Sequence, residues 1–120
     1  MTTLTILWII LAHWFADFVC QTHWQASNKS KNWLALYTHV SNYTLITTGL
    51  IAPILFPKDW KPFGLFLLIT FTAHFITDAI TSRITSRLYA KQSWHNFFVV
   101  IGFDQFLHYT QLFLAIQWLR

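Results

Sequence analysis

The chain has 120 residues, one domain's length, and is 55% hydrophobic and 19% aromatic with only 10% charged residues. Soluble domains carry roughly 25% charged residues, and small ones need polar side chains to cover a large surface, so an ordinary soluble domain is excluded and a membrane is the natural solvent. The net charge of +4 does not indicate nucleic acid, because the basic residues are spread over short connections and form no continuous patch.

The predicted elements are four transmembrane helices in a single domain, 1–120, with both termini on one side of an all-α bundle. Helix one is expected near 3–24: no formal charge occurs from Met1 to Ala16. Met1-Thr2-Thr3 has no basic side chain and no cleavage site follows, so this is read as a retained helix and not a signal peptide. The second helix is expected near 33–56, inside the charge-free run Asn32 to Pro57. Pro57 and Pro62 bracket a tight turn, and the third helix follows near 62–88. The fourth is expected near 95–119. Each is long enough for the roughly 20 residues that cross a bilayer core. Trp24, Trp33 and Trp94 fall at one expected interface, and Trp60 and Trp118 at the other. Lys29, Lys31, Arg83, Arg87 and Lys91 lie in the first and third connections, against Lys58, Lys61 and Arg120 elsewhere. By the positive-inside rule the termini then face away from the cytoplasm. The single Cys20 excludes an internal disulfide and any zinc-finger cysteine pair.

Three of the four acidic residues lie inside these predicted helices. An aspartate near a helix centre costs about 2.5–3.5 kcal/mol, so Asp17, Asp78 and Asp104 together cost roughly 8–10 kcal/mol unless something compensates them. Compensation is visible in the spacing. His13 precedes Asp17 by four residues, His74 precedes Asp78 by four, and His108 follows Asp104 by four, which puts each pair on one helical face. Chance places a histidine four residues from a given aspartate about one time in ten, so three pairs out of three arise on the order of once in a thousand. Depth agrees independently. With alternating helix directions, these six residues and His39 all fall in the half of the membrane nearer the basic connections, with Asp17, His39, Asp78 and Asp104 about 10–15 Å deep at 1.5 Å per residue.

Imidazole with carboxylate suits a divalent transition metal such as zinc, manganese or iron. Four histidines and three aspartates exceed one tetrahedral site and fit two ions, or one ion with a base left over. His13, Asp17, His39, His74, Asp78, Asp104 and His108 are therefore the candidate ligands, with His39, alone on its helix, the alternative candidate for a catalytic general base. Gln21, Asn42, Tyr43, Gln105 and Gln111 lie a turn away and can orient the ligands. Lys29, Arg83 and Arg87 are candidates to hold a phosphate-bearing substrate above the cluster. His23 and His95, beside Trp24 and Trp94, read as interfacial residues. Hydroxyls such as Thr70, Thr77 and Thr81 read as bonding back to helix carbonyls. A web of His–Asp hydrogen bonds serving only packing is the bland account, but such bonds contribute roughly 0.6 kcal/mol each, little against the burial of three carboxylates.

The stretch His13-Trp14-Phe15-Ala16-Asp17-Phe18-Val19-Cys20-Gln21, with Asn28-Lys29, His39, His74-Phe75-Ile76-Thr77-Asp78 and Phe103-Asp104-Gln105-Phe106-Leu107-His108 in that order, resembles a family of small bacterial and phage membrane proteins catalogued as domain of unknown function 3307. The resemblance covers nearly the whole chain and implies that His13, Asp17, Gln21, His39, His74, Asp78, Asp104, Gln105 and His108 form one site. The pattern is also distantly similar to membrane-bound metal-dependent hydrolases. The expected function is a metal-dependent hydrolase of a lipid or other amphipathic ester or phosphoester. It would use one or two divalent ions within a bacterial inner membrane, with membrane lipids around it, no nucleic-acid partner and scope for a homo-oligomer. The alternatives are a divalent-cation or proton transporter subunit, or a non-catalytic, holin-like or regulatory phage or bacterial membrane protein.

Overall fold

Capping chemistry sets where most of the helices begin. The computed structural model describes residues 1–120 and contains helices and no strands. The Thr2 hydroxyl accepts from the Thr5 N–H at 3.2 Å and opens α1, Thr3–Trp14, which runs on into a single π-helical turn, Phe15–Val19. Thr22 and Gln25 then form a reciprocal capping box that starts the short α2, His23–Asn28. The Asn32 carboxamide oxygen accepts from the N–H groups of Leu34 and Ala35 and opens α3, Trp33–Leu55. Pro53 falls in the last turn of α3. Pro62 lies in the first turn of α4, Lys61–Ala90, where its missing N–H is no loss. The Ser93 N–H bonds to Leu88 O and the Gln92 N–H to Tyr89 O, a Schellman ending that puts Gln92 at φ 55°. After it, α5 covers Trp94–Leu119.

The expected continuous first helix, 3–24, is corrected: the chain leaves it after Val19, and the Thr22–Gln25 capping box nucleates a separate helix that packs on α3. The other three expected helices are present, with ends shifted by no more than about two residues, an ordinary margin for helix termini. The most extensive packing is α4 along α5, followed by α3 along α4, with α1 against α3.

By length and apolar character α4 and α5 are each able to cross a membrane. The apolar run of α1 and its π-helical turn is shorter, Thr3–Val19. In α3 the apolar residues are diluted by Thr38, His39, Asn42, Thr44, Thr47 and Thr48.

The interior is divided along its length. Toward one end Ile9, Ala12, Ile51, Ala52, Phe56, Phe66, Leu112, Ala115 and Ile116 form an apolar core. Toward the other, the buried side chains are His13, Asp17, His39, His74, Asp78 and His108. Only 28 residues are buried, and 14 of them are polar or charged, while Leu4, Leu45, Phe98, Leu114 and Trp118 are more than three-fifths exposed. Apolar side chains dominate the outside and polar ones are concentrated within, the reverse of a soluble domain.

Candidate metal centre

Every helical segment except α2 brings part of one buried cluster. Asp17 stands on the π-helical turn, whose widened geometry is marked by the Cys20 N–H bonding to Phe15 O, five residues back. Such turns recur at functional sites. His39 comes from α3, His74 and Asp78 from successive turns of α4, and Asp104 and His108 from successive turns of α5.

The donor atoms form two groups. In the first, Asp17, His39, His74 and Asp78 each present an atom within 4.8 Å of the others. His39 Nε2 lies 3.1 Å from Asp17 Oδ1 and 3.2 Å from Asp78 Oδ2. His74 Nε2 lies 3.4 Å from Asp17 Oδ1, 3.5 Å from Asp78 Oδ2 and 3.4 Å from His39 Nε2. A tetrahedral ion with bonds of 2.0–2.1 Å needs its ligand atoms about 3.3–3.4 Å apart. The five measured separations straddle that value. Asp17 Oδ1, despite two ring nitrogens so near, accepts no aligned hydrogen bond. The four donors thus lie at separations that a single ion could span.

The second group is Asp78, Asp104 and His108. His108 Nε2 is 3.1 Å from Asp78 Oδ1 and 3.3 Å from Asp104 Oδ2. Asp78 thus gives Oδ2 to one group and Oδ1 to the other, the disposition of a bridging carboxylate. These buried His and Asp groups are close enough to hold metal.

Around them runs a chain of hydrogen bonds. Gln105 Nε2 donates to Asp104 Oδ2 at 3.1 Å and to Asp17 Oδ2 at 3.4 Å. Gln105 Oε1 must then accept, so His13 Nε2–H donates to it at 2.8 Å, and His13 Nδ1 accepts from the Tyr43 hydroxyl at 2.8 Å. Both ring nitrogens of His13 are engaged, and it belongs to neither donor group. Tyr43 also stacks on His74 at 3.8 Å, and His74 on His108 at 4.0 Å, which fixes the planes of two donor rings. The Thr81 hydroxyl shares its single proton between Thr77 O, as its spacing suggests, and Asp104 Oδ1.

Lys29, placed by α2, donates to Asp78 Oδ2 at 2.8 Å. Burial works against its charge, but the Asp78 and Asp17 carboxylates outweigh it and hold the lysine pKa above its usual range. A cavity of about 360 Å³ opens from this point, with Asp17, Asp78, Asp104, Gln21, Gln105 and Lys29 among its walls. Arg83 does not reach it: its guanidinium lies 4.3 Å over the Trp33 ring and bonds to Ala79 O. Arg87, His95 and Asn42 are exposed, and His23 contacts Ser27 outside the cluster. Of the features missing from the sequence reading, only α2 carried a readable signal, the Thr22–Gln25 box. Nothing in the residue spacing marks the π-helical turn or the divided carboxylate of Asp78.

A family model described as protein of unknown function (DUF3307) matches residues 4–120. The chain belongs to this family. The matched segment of this DUF3307 protein includes every residue of both donor groups. No curated protein and no solved structure matches the chain.

Proposed function

We propose that this DUF3307 protein is a membrane-embedded metalloenzyme with two metal positions sharing Asp78, and that it hydrolyses an ester or phosphoester in an amphipathic substrate. The observation that carries the proposal is the set of donor separations, 3.1–3.5 Å, around Asp17, His39, His74 and Asp78. Membrane embedding of the whole bundle as four spans draws support from the apolar exterior and polar interior. An inner-membrane location with both termini outside the cytoplasm rests on the charge bias of the connections.

The two groups differ in a way that suits catalysis. The first offers four protein donors, a complete tetrahedral set, and His39 serves there as a ligand in preference to a general base. The second offers three donors, Asp78, Asp104 and His108, and catalytic sites keep such an open position. A bound transition metal supplies Lewis acidity, lowering the pKa of water and polarising a carbonyl or phosphoryl oxygen. The protein does the rest. Asp78 and Asp104 border the cavity where substrate would enter. Gln105 holds Asp17 and Asp104 in place, and the Thr81 hydroxyl fixes the other oxygen of Asp104. Lys29 supplies a positive charge at the cavity wall. The apolar core closes the opposite end, which favours a one-sided pocket over a transport path.

The test is elemental mass spectrometry on detergent-purified protein, followed by a screen of ester and phosphoester substrates. Two equivalents of zinc, manganese or iron, with turnover that disappears on chelation, is the expected result. Absence of metal after reconstitution would overturn the proposal in favour of a packing or proton-relay role for the cluster.

A further inference from the structure

The cavity at the cluster does not end there. A second chamber of about 560 Å³ adjoins it, and the two share Ala26, Lys29, Ser82, Thr85 and Phe97 as walls. Their chemistry differs sharply. All three carboxylates of the cluster line the inner chamber, and none lines the outer one. The outer chamber is lined instead by Lys29, His23 and hydroxyl-bearing residues such as Ser30 and Ser82, with Tyr89 and Phe97 as its aromatic wall. Ser82 is 8% exposed, and its buried Oγ has no hydrogen-bond partner. A buried hydroxyl without a partner at the junction of two chambers is an unfilled donor, and buried polar groups are seldom left so.

Resting on the metalloenzyme reading, we infer that the outer chamber is a subsite for a phosphate group carried by an amphiphile, bound by the Ser82 hydroxyl and Lys29 with its apolar part against Phe97 and Tyr89. Hydroxyl donors with one ammonium and no carboxylate match a phosphate's acceptor oxygens and charge. Lys29 lies at the boundary, so its ammonium can serve either chamber. Its ammonium pairs with Asp78 Oδ2 at 2.8 Å. Cations on the metal positions would take over that pairing and free Lys29 to face the phosphate. The subsite thus couples phosphate binding to metal loading, and the ester bond of the bound group would lie next to the three-donor position.

Calorimetric titration of the metal-loaded protein in detergent tests this with three probes: inorganic phosphate, dihexanoyl phosphatidic acid and dihexanoylglycerol. Phosphatidic acid is expected to bind at least tenfold more tightly than dihexanoylglycerol. Ser82→Ala should weaken it about fivefold and Lys29→Gln about tenfold or more, with the metal content of Ser82→Ala equal to that of the parent. Inorganic phosphate binding as tightly as phosphatidic acid would support the phosphate subsite and overturn its assignment to an amphiphile. Equal affinity for phosphatidic acid and dihexanoylglycerol, or no response to Ser82→Ala, in protein that retains its metal would overturn the subsite while leaving the metalloenzyme reading intact. Protein without metal is the separate failure of that reading.

Discussion

The two ends of the helix bundle are built from the same four long segments but solve opposite problems. At one end Phe66, Ile51 and Ile116 are fully buried among apolar neighbours, and stability there is a matter of shape and apolar contact. At the other, six buried His and Asp side chains occupy the interior; most of their polar atoms face one another or Lys29, Tyr43 and Gln105, while Asp17 Oδ1, His74 Nδ1 and His108 Nδ1 have no hydrogen-bond partner. A mutation at the first end should therefore alter stability and leave chemistry alone. At the second it should alter metal binding.

Asp78 gives the largest expected separation of the two. Because its two oxygens serve different donor groups, Asp78→Ala should abolish both equivalents of metal. Asp17→Ala and Asp104→Ala should each remove only one. Elemental mass spectrometry on the three variants checks this, with circular dichroism confirming helical content. If Asp78→Ala retained one full equivalent, Asp78 would not bridge, and the two groups would be independent sites.

Phe66→Ala is the matching change at the apolar end. Phe66 is fully buried in the apolar core, and deleting such a ring costs about 3–5 kcal/mol through lost burial and the residual cavity. Unfolding monitored in detergent should show that loss, while the folded fraction keeps the parent's metal stoichiometry. Metal loss in step with stability loss would mean that the two ends are not separable.

A smaller effect is expected from Gln105, which touches three members of the site without belonging to either donor group. Gln105→Leu removes the donor to Asp17 and Asp104 and the acceptor for His13. Supports of this kind are worth about 10–100-fold in metal affinity. The stoichiometry at saturating metal should be unchanged, and competition against a chelator measures the affinity. A drop beyond that range, with an equivalent lost, would make Gln105 or His13 part of the coordination itself.

Much of this division is legible in the sequence, for reasons that also mark where legibility stops. The i, i+4 pairs His74/Asp78 and Asp104/His108 show which helical faces turn inward, and charge-free runs show where the long helices lie. Spacing cannot say which ring nitrogen a histidine directs inward. His13 carries the same pattern as His74, yet its two nitrogens are taken by Tyr43 and Gln105. That outcome depends on side chains 30 and 92 positions away. Nor can spacing reveal the π-helical turn under Asp17, since Phe15–Val19 contains neither Gly nor Pro. Lys29 and Arg83 look equivalent as basic residues near a predicted interface. Only the fold separates them, because α2 carries Lys29 over the cluster while Arg83 settles on Trp33.

The boundary between the two ends runs through Thr70, one turn from Phe66 of the apolar core and one turn from His74 of the cluster on α4. Its buried hydroxyl has no hydrogen-bond partner. It lines a void of about 10 Å³ beneath His74 and His108, at or below the lower limit for holding one water molecule. A polar atom in so small a space contributes desolvation without a bond in return, so the boundary belongs energetically to the dry end. Thr70→Val, which keeps the shape and removes the unpartnered hydroxyl, should raise stability by about 1 kcal/mol. Metal affinity should be unaltered. A loss of metal affinity of tenfold or more would instead make Thr70 a polar support of the histidines, and the boundary would have to be moved one turn toward Phe66.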